Sequence, residues 1–171
     1  LVDTAGIRRH PETNVEEMAI RRSHEVILDS DIVLVVVDPK ELGDFEMKLA
    51  NEALEAGKPV IVTVTKWDLV SKEEAKKVRA DLSLKLSHLE HLPKLYVSSV
   101  TGQNLHKLFS ESVRLYNLAR IRFETSELNR FLPLWTNATM MPNFKGKPLK
   151  LFFLTQPEIA PPTFVFFCNY P

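Results

Sequence analysis

Valine and isoleucine crowd three short runs of the chain, Ile32–Val37, Val60–Val64 and Leu95–Val97, without the alternation of a half-exposed strand. Such runs predict strands buried on both faces, as in a parallel sheet covered by helices. The intervening stretches read as helices. Glu46–Ala56 is rich in good helix formers and closes on Gly57, a C-terminal stop. Ser71-Lys-Glu-Glu74 fits a capping box, and the helix behind it is predicted to run to about His91, ahead of Pro93. After Gly102, residues Leu105, Leu108, Phe109, Val113 and Tyr116 recur on one helical face, and an earlier helix is predicted over Val15–Leu28. Strands alternating with helices predict a parallel sheet with right-handed crossovers.

The pattern breaks around Ala119–Thr125. Leu128, Phe131, Leu132 and Trp135 then fall at i, i+3, i+4 and i+7, predicting another helix. Met140–Pro148, "MMPNFKGKP", reads as a basic loop, and "LKLFFLT" and "TFVFFCN" read as strands joined by "QPEIAPP". Two domains are expected, 1–118 and 119–171. One helix and two strands bury little alone, so the second is expected to lean on the first or on sequence outside these residues. Its phenylalanines, Phe152, Phe153, Phe164, Phe166 and Phe167, are expected in a core rather than on a base-stacking surface.

Composition adds boundaries. With 171 residues, 44% hydrophobic and 26% charged, the chain reads as globular. Its single cysteine, Cys168, excludes an intramolecular disulfide and reads as a small apolar strand residue. No apolar run approaches the ~20 residues of a membrane span, and no signal peptide leads, so a cytoplasmic location away from membranes is expected. The zero net charge conceals an asymmetry: residues 118–171 hold six Lys or Arg against three Glu, a net +3, leaving −3 for the remainder. The chain opens on "LVDTAG" without methionine and stops at "CNYP", beside a strand at each end; a fragment of a longer protein is expected.

Open parallel sheets bind ligands beyond the carboxyl ends of their strands. Three such ends carry polar signatures here: "DTAG" (Asp3–Gly6), "TKWD" (Thr65–Asp68) and "SSVTG" (Ser98–Gly102). Each alone is a weak signal. Their order along alternating β/α units is much more specific.

That order resembles the third, fourth and fifth motifs of the translation-factor-like GTPases. The resemblance implies an α/β fold, a P-loop-NTPase-like parallel sheet with flanking helices. It also implies GTP or GDP as ligand, with Mg²⁺. Guanine presents N1–H and the N2 amine side by side, and one carboxylate, here Asp68, would accept both. Lys66 would lay its stem along the purine, Ser99 would offer its backbone N–H to O6, and Ser98 belongs to the same loop. Thr65 stands where the family usually has Asn, the residue that ties the base pocket to the phosphate loop. Asp3 would hold Mg²⁺ through water, with Thr4 and Ala5 beside it and Gly6 offering an N–H to the γ-phosphate. Ile7 occupies the place of the water-orienting glutamine of Ras-like enzymes, so the catalytic group is unassigned.

No G-x-x-x-x-G-K-[ST] occurs: of the five glycines, only Gly146 precedes a lysine. The loop whose amides and lysine cradle phosphates is therefore missing from these residues, and the chain by itself is expected to be inactive.

"TSELNRFL", "FKGKPLKLFFLTQ" and "PPTFVFF" resemble the start of the C-terminal KH-like domain of the EngA/Der family, bacterial GTPases with two tandem G domains. By that resemblance the chain is part of the second G domain followed by a partial α+β KH-like domain. It implies a GTPase acting in assembly of the large ribosomal subunit, with rRNA as partner and K⁺ as a further family cofactor. No GXXG clamp occurs, so Arg130, Lys145, Lys147 and Lys150 are the candidate contacts to RNA phosphates. The rival reading is a non-catalytic rRNA- or ribosome-binding module on a degenerate G-domain scaffold. An Era-type GTPase with one G domain is a third.

Overall fold

The structure, a computed structural model, describes residues 25–40, 43–144 and 146–170. The chain divides into two compact units, Leu1–Tyr116 and Asn117–Pro171.

In the first unit, residues 25–29 are helical; the rest of the helix expected over Val15–Leu28 lies outside the described residues. There follow β1 (Val33–Val37), α1 (Asp44–Glu55), β2 (Val60–Val64), α2 (Lys72–Lys85), β3 (Lys94–Tyr96) and α3 (Leu105–Ala119), whose last turn enters the second unit. The three strands are parallel, in the order β1-β2-β3, with Val33 opposite Val60, Val37 opposite Val64 and Val62 opposite Lys94. Every residue of the central strand β2 is buried, which explains why its sequence is unbroken by polar alternation. Val35, Val37, Val60, Val62 and Val64 pack with Met47, Ala50 and Ala53 of α1 and with Leu82, Leu86, Leu89 and Leu92. Burying each large side chain contributes about 1.5–3 kcal/mol.

The local signals behave as read. Gly57, at φ 72°, ends α1; its N–H donates to Leu54 O and the Lys58 N–H to Ala53 O, closing orphan carbonyls. Ser71 Oγ accepts from the Glu74 N–H at 3.2 Å while Glu74 Oε2 accepts from the Ser71 N–H at 2.9 Å. One boundary differs. Helix α2 stops at Lys85, not near His91, and a 3₁₀ turn (Ser87–Leu89) follows. The tighter winding lets Leu86 and Leu89 both reach the core. The apolar face expected on α3 is not buried: no α3 residue is classed as buried, and Phe109 and Val113 are 73% and 61% exposed.

The second unit contains α4 (Thr125–Ala138), a short hairpin β4 (Asn143–Phe144) and β5 (Lys147–Pro148), and a longer antiparallel hairpin β6 (Leu151–Ile159) and β7 (Pro162–Cys168). The segment read as a basic loop thus forms the β4–β5 hairpin, turning at Gly146 with φ 77°. The proline-rich "QPEIAPP" is not a linker either: β6 runs through it, leaving Ala160–Pro161 as the turn. Pro157, which has no N–H for a ladder, sits where the register shifts between Thr155 and Glu158.

This unit has a small core of its own, Leu128, Leu132 and Leu154, with Leu151 against it. Polar side chains tie its pieces together. Asn129 Nδ2 donates to Thr125 O (2.7 Å) and Leu154 O (2.8 Å), and its Oδ1 accepts from the Leu154 N–H (2.9 Å). Gln156, buried to 2% exposure, accepts from the Phe123 N–H and donates to Ile121 O. The phenylalanines depart from expectation. Phe152, Phe153, Phe164, Phe166 and Phe167 all keep substantial exposure, between 38% and 63%. One helix shields only part of one face of a two-stranded sheet, and the aromatics pair instead: Phe153 with Phe167 and Trp135 with Phe166. Cys168 ends β7, half-buried and unbridged.

Candidate nucleotide-base site

The three strands end in register, so the residues that follow β1, β2 and β3 meet at one edge of the first unit. Beyond β2, the Thr65 N–H and hydroxyl both donate to Val37 O, at 2.9 and 3.2 Å. The hydroxyl of the threonine expected in the base pocket is thus directed at β1. Lys66 then takes φ 52°, a left-handed conformation that a residue with a Cβ seldom adopts. This reversal sends the Trp67 N–H to Val97 O (3.1 Å), tying the "TKWD" segment to the residue that precedes "SSVTG". Trp67–Leu69 winds into one 3₁₀ turn, closed by the Leu69 N–H on Lys66 O, and Asp68 stands exposed within it.

The loop after β3 is fixed from inside. Ser98 is fully buried; its N–H donates to Gln103 O and its Oγ accepts from the Thr101 N–H. Gly102 at φ 74° and Asn104 at φ 57° make the turn, and Asn104 Nδ2 donates to Tyr96 O at 2.8 Å. Ser99 is exposed at its beginning. Of the two serines, the buried one braces the loop and the exposed one faces outward.

Behind Asp68 lies a stack that sequence reading missed. The Trp67 and Tyr96 rings lie 4.4 Å apart, centroid to centroid, and the Arg79 guanidinium sits 3.9 Å from Tyr96 and 5.2 Å from Trp67. Burial pushes the Tyr96 hydroxyl above its ordinary pKa of 10.0, against the opposing pull of Arg79. Asp38 was missed too, although "VLVVVD" carries the same signal as Asp68, a carboxylate at the end of a buried run. Its Oδ2 accepts from Lys66 Nζ at 2.8 Å and its Oδ1 from the Lys40 N–H at 2.9 Å. These bonds, Lys66 first, hold the Asp38 carboxyl below its usual value of 3.8. A cavity of about 560 Å³ lies beside this pair, with Lys40, Leu69, Glu74 and Asp81 in its walls. Its lining includes Lys66 but neither Asp68 nor Ser99.

Thr65, Lys66, Asp68, Ser98 and Ser99 are therefore brought together. Asp3, Thr4, Ala5, Gly6, Ile7 and Lys145 lie outside the described residues. Arg130 is exposed on α4, Lys147 on β5, and Lys150 just before β6. Among the described residues no three His, Cys, Asp or Glu side chains are grouped to hold a metal, and no helix is long and apolar enough to cross a membrane.

The fold of the first unit, a parallel sheet with helices between its strands, is that of a GTPase domain, and the second unit is KH-like. Residues 1–66 match a family model described as a 50S ribosome-binding GTPase, and residues 122–171 match the KH-domain-like C-terminal domain of EngA bacterial GTPases. The chain is similar to the EngA/Der family over nearly all of its length. It is 49% identical over 169 residues to GTPase Der of Deinococcus deserti, covering 99% of this chain and 38% of that protein. GTPase Der of Lactococcus lactis subsp. cremoris is 36% identical, with 99% and 40% covered. The chain thus spans about two fifths of the length of these relatives. Among solved structures, Era from Aquifex aeolicus bound to GDP·AlF₄⁻ superposes with a TM-score of 0.56 at 20% identity, covering 66% of this chain and 38% of that one. Era in complex with MgGDPNP and a 16S ribosomal RNA segment gives 0.57 at 17% identity, covering 97% and 59%. These structures bear on the fold.

Proposed function

We propose that this chain carries the base-reading part of a guanine-nucleotide site, and that the full-length protein is a cytoplasmic GTPase acting in assembly of the large ribosomal subunit. The observation that carries the reading is the Trp67 N–H to Val97 O bond, which ties the turn bearing the exposed Asp68 to the end of β3, just before the Ser98–Gly102 loop. Asp68 accepts from guanine N1–H and N2, Lys66 lies along the purine, and Ser99 offers its N–H to O6. Thr65 and Ser98 serve the site by bracing its backbone. The family resemblance assigns Mg²⁺ to Asp3 and the phosphates to the neighbouring Thr4, Ala5 and Gly6; when bound, the ion would neutralise phosphate charge. K⁺ rests on the same resemblance. Arg130, Lys145, Lys147 and Lys150 contact rRNA phosphates without reading sequence.

The test is base preference. Asp68→Asn in the full-length gene product replaces an acceptor with a donor facing the guanine N2 amine, and xanthosine nucleotides should then be preferred over guanosine ones. Unchanged preference overturns the guanine assignment. The rival reading, a non-catalytic rRNA-binding module, draws support from Thr65, whose hydroxyl is bonded to Val37 O instead of being directed toward a nucleotide. Steady GTP turnover by the purified full-length protein overturns it.

A further inference from the structure

The Asp38–Lys66 pair is a side-chain contact at this sheet edge that the proposed binding of the base does not use. The two residues are 28 apart in sequence and meet because Val37 and Val64 are paired across β1 and β2. Both carboxylate oxygens of Asp38 are engaged: Oδ1 by the Lys40 N–H, which fixes the carboxylate on its own strand end, and Oδ2 by the Lys66 ammonium. Lys66 is also the residue that takes the left-handed turn between Thr65 and the Asp68 loop. A strained backbone conformation persists when its surroundings over-determine it. Here the Thr65 bonds to Val37 O hold it from one side and the Trp67 bond to Val97 O from the other. The Asp38 bond fixes the direction of its side chain. A lysine with a free ammonium samples many rotamers; held at Nζ, its methylene stem is confined to a small range of paths across the turn.

We propose that Asp38 is a positioning residue of the nucleotide-base site: by holding the Lys66 ammonium from the end of β1, it presets the lysine stem that covers the purine. The inference rests on the guanine reading of Asp68. Asp38 touches no ligand; it lowers the ordering cost of binding by keeping Lys66 arranged beforehand. Preorganisation of this kind appears as affinity for any purine nucleotide and leaves the choice between bases to Asp68.

A double-mutant cycle in the full-length gene product tests it, with GDP affinity as the readout for wild type, Asp38→Asn, Lys66→Gln and the double variant. Asp38→Asn keeps an oxygen for the Lys40 N–H, so the strand end is retained while the ion pair is lost. Because Lys66 is well exposed, each single change should weaken GDP binding by about two- to fivefold. The double variant should be no weaker than the weaker single. Inosine and guanosine diphosphates should lose affinity equally in Asp38→Asn, an outcome that general damage to the Asp68 loop would not give. Additive losses in the cycle, or wild-type affinity in Asp38→Asn, overturn the proposal. If Asp68→Asn shifts base preference and the cycle is additive, only the role of Asp38 falls. If Asp68→Asn shifts nothing, the guanine reading falls and this inference falls with it.

Discussion

The indole of Trp67 and the phenol of Tyr96 lie 4.4 Å apart with their planes tilted by 47°, so the residue before Asp68 is packed against the last residue of β3. Tyr96→Ala removes this packing and the Arg79 contact; about 0.5–1.5 kcal/mol of aromatic pairing is lost in addition to the buried area. Tyr96→Phe should retain nearly all of it, and Arg79→Ala should cost about 0.5–1 kcal/mol. Denaturant unfolding monitored by tryptophan fluorescence measures all three. Equal stability of Tyr96→Ala and Tyr96→Phe would show that the stack contributes nothing.

The acid limb of stability should depend on Asp38. Its folded carboxyl is more acidic than the ordinary 3.8, chiefly through Lys66, so the unfolded chain binds the proton more readily. The stabilisation is present above that ordinary value and disappears as pH falls through the lowered folded one. Glu74, held below 4.5 by the Ser71 N–H and then its hydroxyl, acts in the same direction. Unfolding midpoints between pH 6 and pH 2 should therefore decline less steeply in Asp38→Asn than in the wild type. Parallel curves would refute the linkage. At the alkaline end Tyr96 acts oppositely: burial raises its pKa above 10.0, so stability falls as pH rises past that value, and Tyr96→Phe should remove this component.

Asn129 does for Leu154 what a neighbouring strand would do, accepting from its N–H and donating to its carbonyl. Asn129→Ala leaves both backbone groups of a buried residue without these partners and should destabilise the second unit by about 1–3 kcal/mol. Amide exchange at Leu154 should accelerate in that variant while amides of β2 keep their wild-type rates. Acceleration in both places would mean a global effect rather than loss of this clamp.

Calorimetry of the 171-residue chain with GTP and Mg²⁺ should detect no micromolar binding, an affinity that corresponds to roughly −8 kcal/mol. Without a G-x-x-x-x-G-K-[ST] segment among these residues, the loops proposed to read the base offer too few contacts by themselves. Micromolar binding would place the phosphate site elsewhere in the chain.

What the sequence determined by itself was set by short-range chemistry. The Val/Ile run of β2 was legible as a strand covered on both faces, Gly57 could adopt the left-handed stop, and Ser71 with Glu74 could close a helix start without outside help. The similar run of β1 was not a guide to its cover, since Val36 is 61% exposed. The order of "DTAG", "TKWD" and "SSVTG" named a candidate site because strand ends of a parallel sheet share one edge. Tertiary structure decided what depends on partners distant in sequence. The bond from Lys66 to Asp38 and the stack of Arg79, Tyr96 and Trp67 exist only once β1, β2, β3 and α2 are side by side. The Thr65 hydroxyl could be assigned to Val37 O only when both strand ends were in place. The phenylalanines of β6 and β7 mark the other limit. Their hydrophobicity is a property of the residues, whereas burial depends on how much of the hairpin α4 can cover, and a single helix cannot cover both faces of two strands.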